Sequence, residues 1–151
     1  MANISMAEGH FRLCGNWTSE MRRNLDTLAN EWRKWCYATD LSEEFSDTED
    51  SIFFFGSGKW NYEGNLKSMS KWTKEEIPDV LENLCREMEK EDAFIKVEYI
   101  DCECGNLLLY SQTGHFTALN GEWLYDIVEN ENHEYTKESF DKLGIEWYEL
   151  E

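Results

Sequence analysis

Residues 94–128 read FIKVEYIDCECGNLLLYSQTGHFTALNGEWLYDIV. Three turn signals divide this stretch: Asp101 to Asn106, Thr113-Gly114 and Asn120-Gly121. Asn-Gly is the dipeptide that two-residue hairpin loops prefer. The segments between the turns are rich in apolar, β-branched and aromatic residues, a composition typical of strands. The stretch therefore predicts a β meander.

The sequence before residue 94 predicts a strand and helices. Ser51 to Phe55 is a short apolar run closed by Gly56-Ser57-Gly58, which predicts a central strand buried on both faces. Thr18 precedes apolar residues at helical spacing, which predicts a helix from about Ser19 to Cys36.

A further helix is predicted shortly before the meander. Thr73 and Glu76 have the spacing of a capping box, and apolar residues then recur at helical intervals to Met88. Pro78 falls in the first turns, where a missing amide donor costs least. A short helix around residues 61–69 precedes it.

The two ends of the chain complete the prediction. An opening strand or hairpin, broken around Gly9, is expected over residues 4–13. Thr136 and Gly144 predict the limits of a last short helix, and residues 145–148 a final edge strand. We expect one α+β domain over residues 1–151, with a mainly antiparallel sheet and helices packed on one face.

Composition narrows the class of function. The chain has 151 residues, with 14 Lys and Arg against 32 Asp and Glu, a formal net charge of -18 at pH 7. Such a charge opposes binding to nucleic acid or to anionic lipid and favours basic protein surfaces. No apolar run approaches the ~20 residues of a membrane span, and the first residues lack the features of a signal peptide. We therefore expect a cytoplasmic protein. The sequence does not determine the oligomeric state, and a homodimer is one of the alternatives.

The five cysteines predict reduced thiols, because their number is odd and no export signal accompanies them. Cys102 and Cys104, with His115 nearby in the meander, could supply part of a metal site. Zinc sites usually need a second pair of ligands, which the sequence lacks. We therefore predict no metal and no cofactor.

Catalytic motifs are also missing from the sequence. It contains no G-x-S-x-G nucleophile elbow, and the Gly56-Ser57-Gly58-Lys59 segment lacks the spacing of a phosphate-binding loop. With 32 carboxylates, chance pairs of acids are unavoidable and do not indicate a glycosidase. We predict a protein that is not an enzyme and has no catalytic residues.

The acidic residues give the leading prediction of a binding surface. One group lies in a predicted exposed loop at 40–50, a second forms a predicted stripe on the helix after Thr73, and a third lies in a predicted loop at 129–134. Carboxylates about 6 Å apart on a helix could occupy sites meant for phosphates. The predicted partner-binding residues are Asp40, Glu43, Glu44, Asp47, Glu49, Asp50, Glu75, Asp79, Glu82, Glu89, Glu129, Glu131 and Glu134.

An alternative site combines aromatic residues with lysines. Residues 57–74 hold four lysines and one glutamate, an island of positive charge in an acidic chain. It would suit a small ligand or a peptide, and the acidity would then serve only solubility. The predicted ligand-binding residues are Lys59, Trp60, Tyr62 and Trp72.

Parts of the chain resemble a known family. Residues 52–60 read IFFFGSGKW and precede a helix, and IKVEY at 95–99 leads through a glycine turn to LLLY at 107–110. This pattern is similar to the YubB-type ferredoxin-like domain of plasmid and phage accessory proteins, over residues 51 to about 119. The resemblance implies a split β-α-β core and a mobile-element origin, and it brings no catalytic residues.

In size, acidity and lack of catalytic motifs, the chain is also similar to phage-encoded anti-restriction and anti-CRISPR proteins. Many of these block nucleases by imitating DNA. The leading hypothesis is thus a non-enzymatic inhibitor that occupies the nucleic-acid-binding surface of a host nuclease. It predicts binding that weakens as salt is added.

Overall fold

A computed structural model describes residues 4–35, 37, 39–46 and 50–146. Its helices and strands follow in this order along the chain: β1 Ile4–Cys14, α1 Ser19–Lys34, β2 Thr39–Leu41, β3 Ser51–Lys59, α2 Tyr62–Glu76, α3 Pro78–Glu91, β4 Phe94–Glu103, β5 Leu108–Leu119, β6 Glu122–His133 and α4 Lys137–Leu143. The strands form one antiparallel sheet in the order β2-β3-β1-β4-β5-β6. The predicted α+β class is confirmed.

The first strand lies inside the sheet. β1 pairs antiparallel with β3 on one side and with β4 on the other. β3 and β4 therefore run parallel to each other with β1 between them, and α2 and α3 connect them. This connection is a β-α-β unit split by a third strand.

One face of the sheet is covered by α1, α2 and α3. β1 turns Phe11 and Leu13 to this face, and Phe11 is fully buried among aromatic rings. The stripe predicted for α1 is confirmed, because Met21, Leu25, Leu28, Ala29 and Trp32 are its buried residues. Thr18 caps this helix by accepting the amide N–H of Met21.

The opposite side of the sheet, which we call the outer face, carries α4. Phe140 of this helix is fully buried and packs with Cys102 and Leu109, which point to the outer face. The sequence predicted that all helices pack on one face of the sheet. This prediction is wrong for α4, which packs on the outer face. Thr136 and Gly144 limit α4 as expected.

The predicted turn at Thr113-Gly114 is wrong, because β5 runs through it without interruption. A β-bulge lies here instead, at a shift of register against β6. A Cβ atom on Gly114 would lie 2.2 Å from the hydroxyl oxygen of Tyr125. Gly114 is therefore required for close packing rather than for a turn.

The helix limits around residue 77 also differ from the prediction. Thr73 does not begin a helix; it is buried inside α2, which runs from Tyr62 to Glu76. α3 begins at Pro78, with Ile77 as its N-cap and no side-chain hydrogen bond at the cap. Proline has no amide hydrogen to donate, so it suits a new first turn.

Four predictions about strands and loops are also wrong. β1 is not broken at Gly9, and residues 129–133 belong to β6 rather than to a loop. β3 is not buried on both faces, since Phe55 is 58% exposed on the outer face. The segment after β2 is not wholly exposed, because Phe45 is buried. The predicted edge strand at 145–148 includes residues 147 and 148, which lie outside the described residues.

Candidate functional site

The edge strand β6 carries the most regular group of carboxylates in the described structure. Residues 122–136 contain no lysine or arginine. All five carboxylate side chains in this segment are exposed, and within the described residues none has an ion-pair partner. We call these five residues the acidic edge: Glu122, Asp126, Glu129, Glu131 and Glu134.

Four of these carboxylates point to the same side of the sheet. Asp126 pairs with His115, Glu129 with Thr113, and Glu131 with Ser111, and these β5 residues alternate on the outer face. Glu122 is opposite Leu119 on that same face. The four form a row that follows the edge of the sheet.

The β-bulge makes this row possible. Asp126 and Glu129 are three residues apart, so a regular strand would point them to opposite faces. The bulge adds Val128 to β6 between the partners of Gly114 and Thr113, and it returns Glu129 to the outer face. Over 12 residues at about 3.3 Å each, β6 spans about 40 Å.

The acidic residues predicted at 40–50 lie far from this row. Asp40 is on β2, the opposite edge of the sheet, and five strand spacings of about 4.8 Å separate the edges by about 24 Å. Glu43 and Glu44 are exposed, whereas the Asp50 carboxylate is 2.5 Å from the Arg22 guanidinium. Asp47 and Glu49 lie outside the described residues.

The predicted acidic stripe of residues 75–89 is not on one helix. Glu75 is at the end of α2, and Asp79, Glu82 and Glu89 are on α3 beyond the break at Pro78. Glu82 is 3.9 Å from Arg86, and the Glu89 carboxylate accepts the amide N–H of Gly121 at 3.3 Å. The prediction of one continuous helical stripe is therefore wrong.

The residues of the aromatic and lysine island separate in the structure. Lys59 and Trp60 are exposed at the end of β3. Tyr62 is fully buried, with its hydroxyl 2.5 Å from that of Thr39, and Trp72 packs on Trp35 with ring centroids 5.4 Å apart. The four residues predicted as one site therefore do not share a surface.

A hydroxyl and an imidazole meet on the outer face beside the acidic edge. Ser111 Oγ lies 2.9 Å from His133 Nε2, a contact between residues 22 positions apart that depends on strand register. Acyl transfer also needs free amide donors for an oxyanion. Ser111 lies inside β5, which is paired on both sides, so the nearby amides belong to the β-ladder.

Two buried carboxyl groups lie at the end of β4. Asp101 is fully buried, and its Oδ2 accepts the amide N–H of Tyr62 at 2.8 Å. Burial raises the pKa of Asp101 to about 6, and the hydrogen bond from Tyr62 offsets this only in part. Glu103, 4% exposed, accepts a hydrogen bond from the Asn106 amide at 2.6 Å. Neither carboxyl belongs to a surface that a basic partner could reach.

A groove of about 390 Å³ lies on the outer face next to α4. Its walls include Glu8, His10, Phe53 and Ile145. Burial raises the pKa of Glu8, and the charge of Glu146 adds to this. The groove therefore combines an apolar floor with one carboxyl that resists ionisation.

Cys14, Cys85, Cys102 and Cys104, the cysteines in the described residues, form no disulfide. Cys102 and Cys104 have their sulfur atoms 3.4 Å apart, and Cys102 is 3.8 Å from the Tyr135 hydroxyl. His115 pairs with Lys96, six positions along β4 from Cys102, so it does not join the thiols. Cys36 lies outside the described residues, and within them no cluster of three metal-ligating side chains occurs.

The helices in the described ranges are too short or too polar to cross a membrane. Comparison with family models, with curated proteins and with solved structures finds no match to this chain. The functional interpretation therefore depends on the geometry of the sites.

Proposed function

We propose that this protein is a non-enzymatic inhibitor whose acidic edge binds the basic, nucleic-acid-binding surface of a host defence nuclease. The observation that carries the proposal is the row of Glu122, Asp126, Glu129 and Glu131 on one side of β6. In this proposal the inhibitor is encoded by a phage or another mobile element and acts in the host cytoplasm. It binds no nucleic acid itself.

The geometry of the row suits a partner that binds phosphates. Glu129 and Glu131 are two residues apart on an extended strand, so their Cα atoms are about 6.6 Å apart. A basic groove that follows a nucleic-acid backbone presents lysine and arginine at repeated intervals, because the phosphates it binds are themselves regularly spaced. A linear row of carboxylates can therefore meet several of these side chains at once.

The electrostatics point the same way. The four like charges have no ion-pair partner among the described residues and repel each other, and this repulsion is relieved when a basic surface binds. Long-range attraction between opposite charges also speeds association. The row thus favours a cationic partner before any contact is made.

Charges on an edge strand also have a simpler use, since they prevent two sheets from pairing edge to edge. Glu and Asp on either face would serve that purpose. The bulge at Val128 instead places the carboxylates on a single face. A protective role does not require this alignment, whereas recognition by a partner does.

The test is displacement of a labelled DNA duplex from purified restriction endonucleases and CRISPR effector nucleases. We expect the protein to displace DNA from at least one of them, and displacement to weaken as salt is raised. A row variant carries Glu122→Gln, Asp126→Asn, Glu129→Gln and Glu131→Gln. Four exposed ion pairs at about 0.5 kcal/mol each total about 2 kcal/mol, so we expect inhibition to be weaker by about 30-fold.

The matched control removes four charges elsewhere, through Glu43→Gln, Glu44→Gln, Glu75→Gln and Asp79→Asn. We expect it to inhibit nearly as well as the unchanged protein. Equal weakening by both variants would show that net charge acts rather than the row. Failure to displace DNA from any nuclease in the panel would reject the proposed class of target.

A further inference from the structure

A cavity of about 270 Å³ lies where the end of α1, the end of β3 and the first turns of α2 meet. Three aromatic side chains, Trp35, Tyr37 and Trp60, contribute to its lining. Lys59 and Asn65 supply polar groups. The cavity is slightly smaller than the ~300 Å³ at which pockets for drug-sized ligands begin, so it suits a single ring system.

Asn65 holds the Trp35 ring and the backbone at Tyr37. This side chain is buried, accepts a hydrogen bond from Trp35 Nε1 at 2.9 Å, and donates one to the Tyr37 carbonyl at 2.9 Å. The Trp35 ring also packs on Trp72. The inner wall is therefore preorganised, which lowers the entropy lost when a ligand binds.

The third aromatic residue is held in an unfavourable conformation. Trp60 has φ 74°, in the region that a bulky side chain rarely adopts, and the Asn61 amide donates to the Lys59 carbonyl at 3.0 Å. This hydrogen bond closes a three-residue γ-turn around Trp60, and γ-turns with positive φ are strained. The turn keeps the ring 49% exposed at the cavity rather than in the core.

The charge of the cavity is opposite to that of the whole protein. Lys59 is the charged residue among those that line it, and none of the described carboxylates is among them. In a chain with 32 acidic residues, a wall of this composition favours an anion. Tryptophan and tyrosine faces favour a planar aromatic ring.

We infer that this cavity is a binding site for a small planar aromatic ligand that carries a negative charge, the class to which nucleoside monophosphates belong. The ring stacks on Trp60 and Trp35, and the anionic group pairs with Lys59. This site is independent of the acidic edge and is at a different place in the fold. Two residues of the island predicted from the sequence, Tyr62 and Trp72, take no part in it.

The test is a titration with adenosine monophosphate, followed through the indole N–H signals in a ¹H–¹⁵N spectrum. We expect the signals of Trp35 and Trp60 to move at millimolar ligand or below. Trp123 is an internal control, because its indole N–H is hydrogen-bonded to Ser70 on another surface. If neither cavity signal moves, or if Trp123 moves equally, the inference is wrong.

Three variants separate the roles of charge and ring. Lys59→Gln is expected to weaken binding of the nucleotide by about two- to fivefold and to leave binding of uncharged adenosine unchanged. Lys71→Gln, a change at an exposed lysine of α2, is the matched control and is expected to have no effect. Trp60→Gly is expected to abolish binding of both ligands while the protein stays folded, because glycine accepts positive φ without strain.

Other outcomes would overturn the inference. If Lys59→Gln weakens binding of adenosine and of its monophosphate equally, Lys59 does not recognise the anionic group. Tighter binding of benzyltrimethylammonium than of the nucleotide would show that the cavity prefers cations. Undiminished binding by folded Trp60→Gly would place the ligand elsewhere.

Discussion

Three consecutive residues of β1 show how differently the two faces of the sheet are built. Phe11 points to the helices and is fully buried, with ring centroids 4.7 Å from Phe54 and 5.8 Å from Trp32. His10 and Arg12 point to the outer face, where His10 meets Phe53 and Arg12 pairs with Glu98. One face is a continuous aromatic core, and the other alternates rings with charges. The period of two along a strand thus places the buried rings on one face and leaves the charged groups of the other face exposed to solvent.

The largest difference between the two faces is expected when the stability of Phe11→Ala is compared with that of Phe53→Ala. Loss of the buried Phe11 ring is expected to lower the free energy of unfolding by about 3–5 kcal/mol, since a cavity remains in the core. Phe53 is half-buried, and its removal is expected to cost less than about 1.5 kcal/mol. Urea denaturation of both variants measures the difference. Similar costs would mean that the outer face is also a core.

Asp101 is the exception on the helix-covered face, and it predicts a pH dependence. Its folded pKa of about 6 is above the ordinary 3.8, so the folded protein binds this proton more tightly than the unfolded chain does. The stability this group contributes is complete below about pH 4 and is lost as pH rises through 6, up to about 3 kcal/mol. Asp101→Asn should remove this loss.

The measurement is the free energy of unfolding of both proteins from pH 3.5 to 7.5. The other acidic residues titrate in both proteins, so the difference between the two curves isolates Asp101. A difference that stays constant with pH would show that Asp101 is not perturbed by its burial.

A smaller effect is expected from the hydrogen bond that joins α1 to α2 inside the core. Trp32 Nε1 donates to Thr73 Oγ1 at 3.0 Å, and both residues are fully buried. Thr73→Val keeps the shape but leaves the indole N–H without its partner, at an expected cost of about 1–3 kcal/mol. In the Trp32→Phe background the same change should cost clearly less. Equal costs in the two backgrounds would mean that this bond contributes nothing.

The smallest effect is expected on the outer face at Glu98→Gln. Arg12 Nε is 2.6 Å from Glu98 Oε1, but the two side chains are 52% and 39% exposed. Such pairs contribute less than about 1 kcal/mol, and salt screens them. Unfolding curves at low and high salt should converge. A larger loss that survives high salt would contradict the description of this face as solvent-exposed.

Local signals in the sequence were sufficient for several elements. The apolar stripe of α1, the Asn120-Gly121 hairpin, and the Thr136 and Gly144 limits of α4 are confirmed, because caps and turn residues act within a few positions. The turn predicted at Gly114 is wrong, because glycine is required there to leave room for the Tyr125 side chain on a neighbouring strand. Local patterns do not contain that information.

The sequence predicts the two sites less completely than it predicts the fold. The sequence predicts Glu129 and Glu131 as binding residues, but Glu122 and Asp126 join them only through the pairing of β6 with β5 and the bulge in β6. Trp35 and Tyr37 line one cavity with Lys59 and Trp60, and Asn65 of α2 hydrogen-bonds the Trp35 indole and the Tyr37 carbonyl there. Register and side-chain hydrogen bonds between distant segments decide both sites.

The position of β1 inside the sheet also has a consequence for synthesis on the ribosome. β1 has its partners at Ser51–Lys59 and Phe94–Glu103, so both of its edges are paired only after residue 103 has been synthesised. Such distant pairings are slow to form, because long loops must close first. Until residue 103 has emerged, the edge of β1 that pairs with β4 has no partner strand, so the sheet cannot be completed around β1.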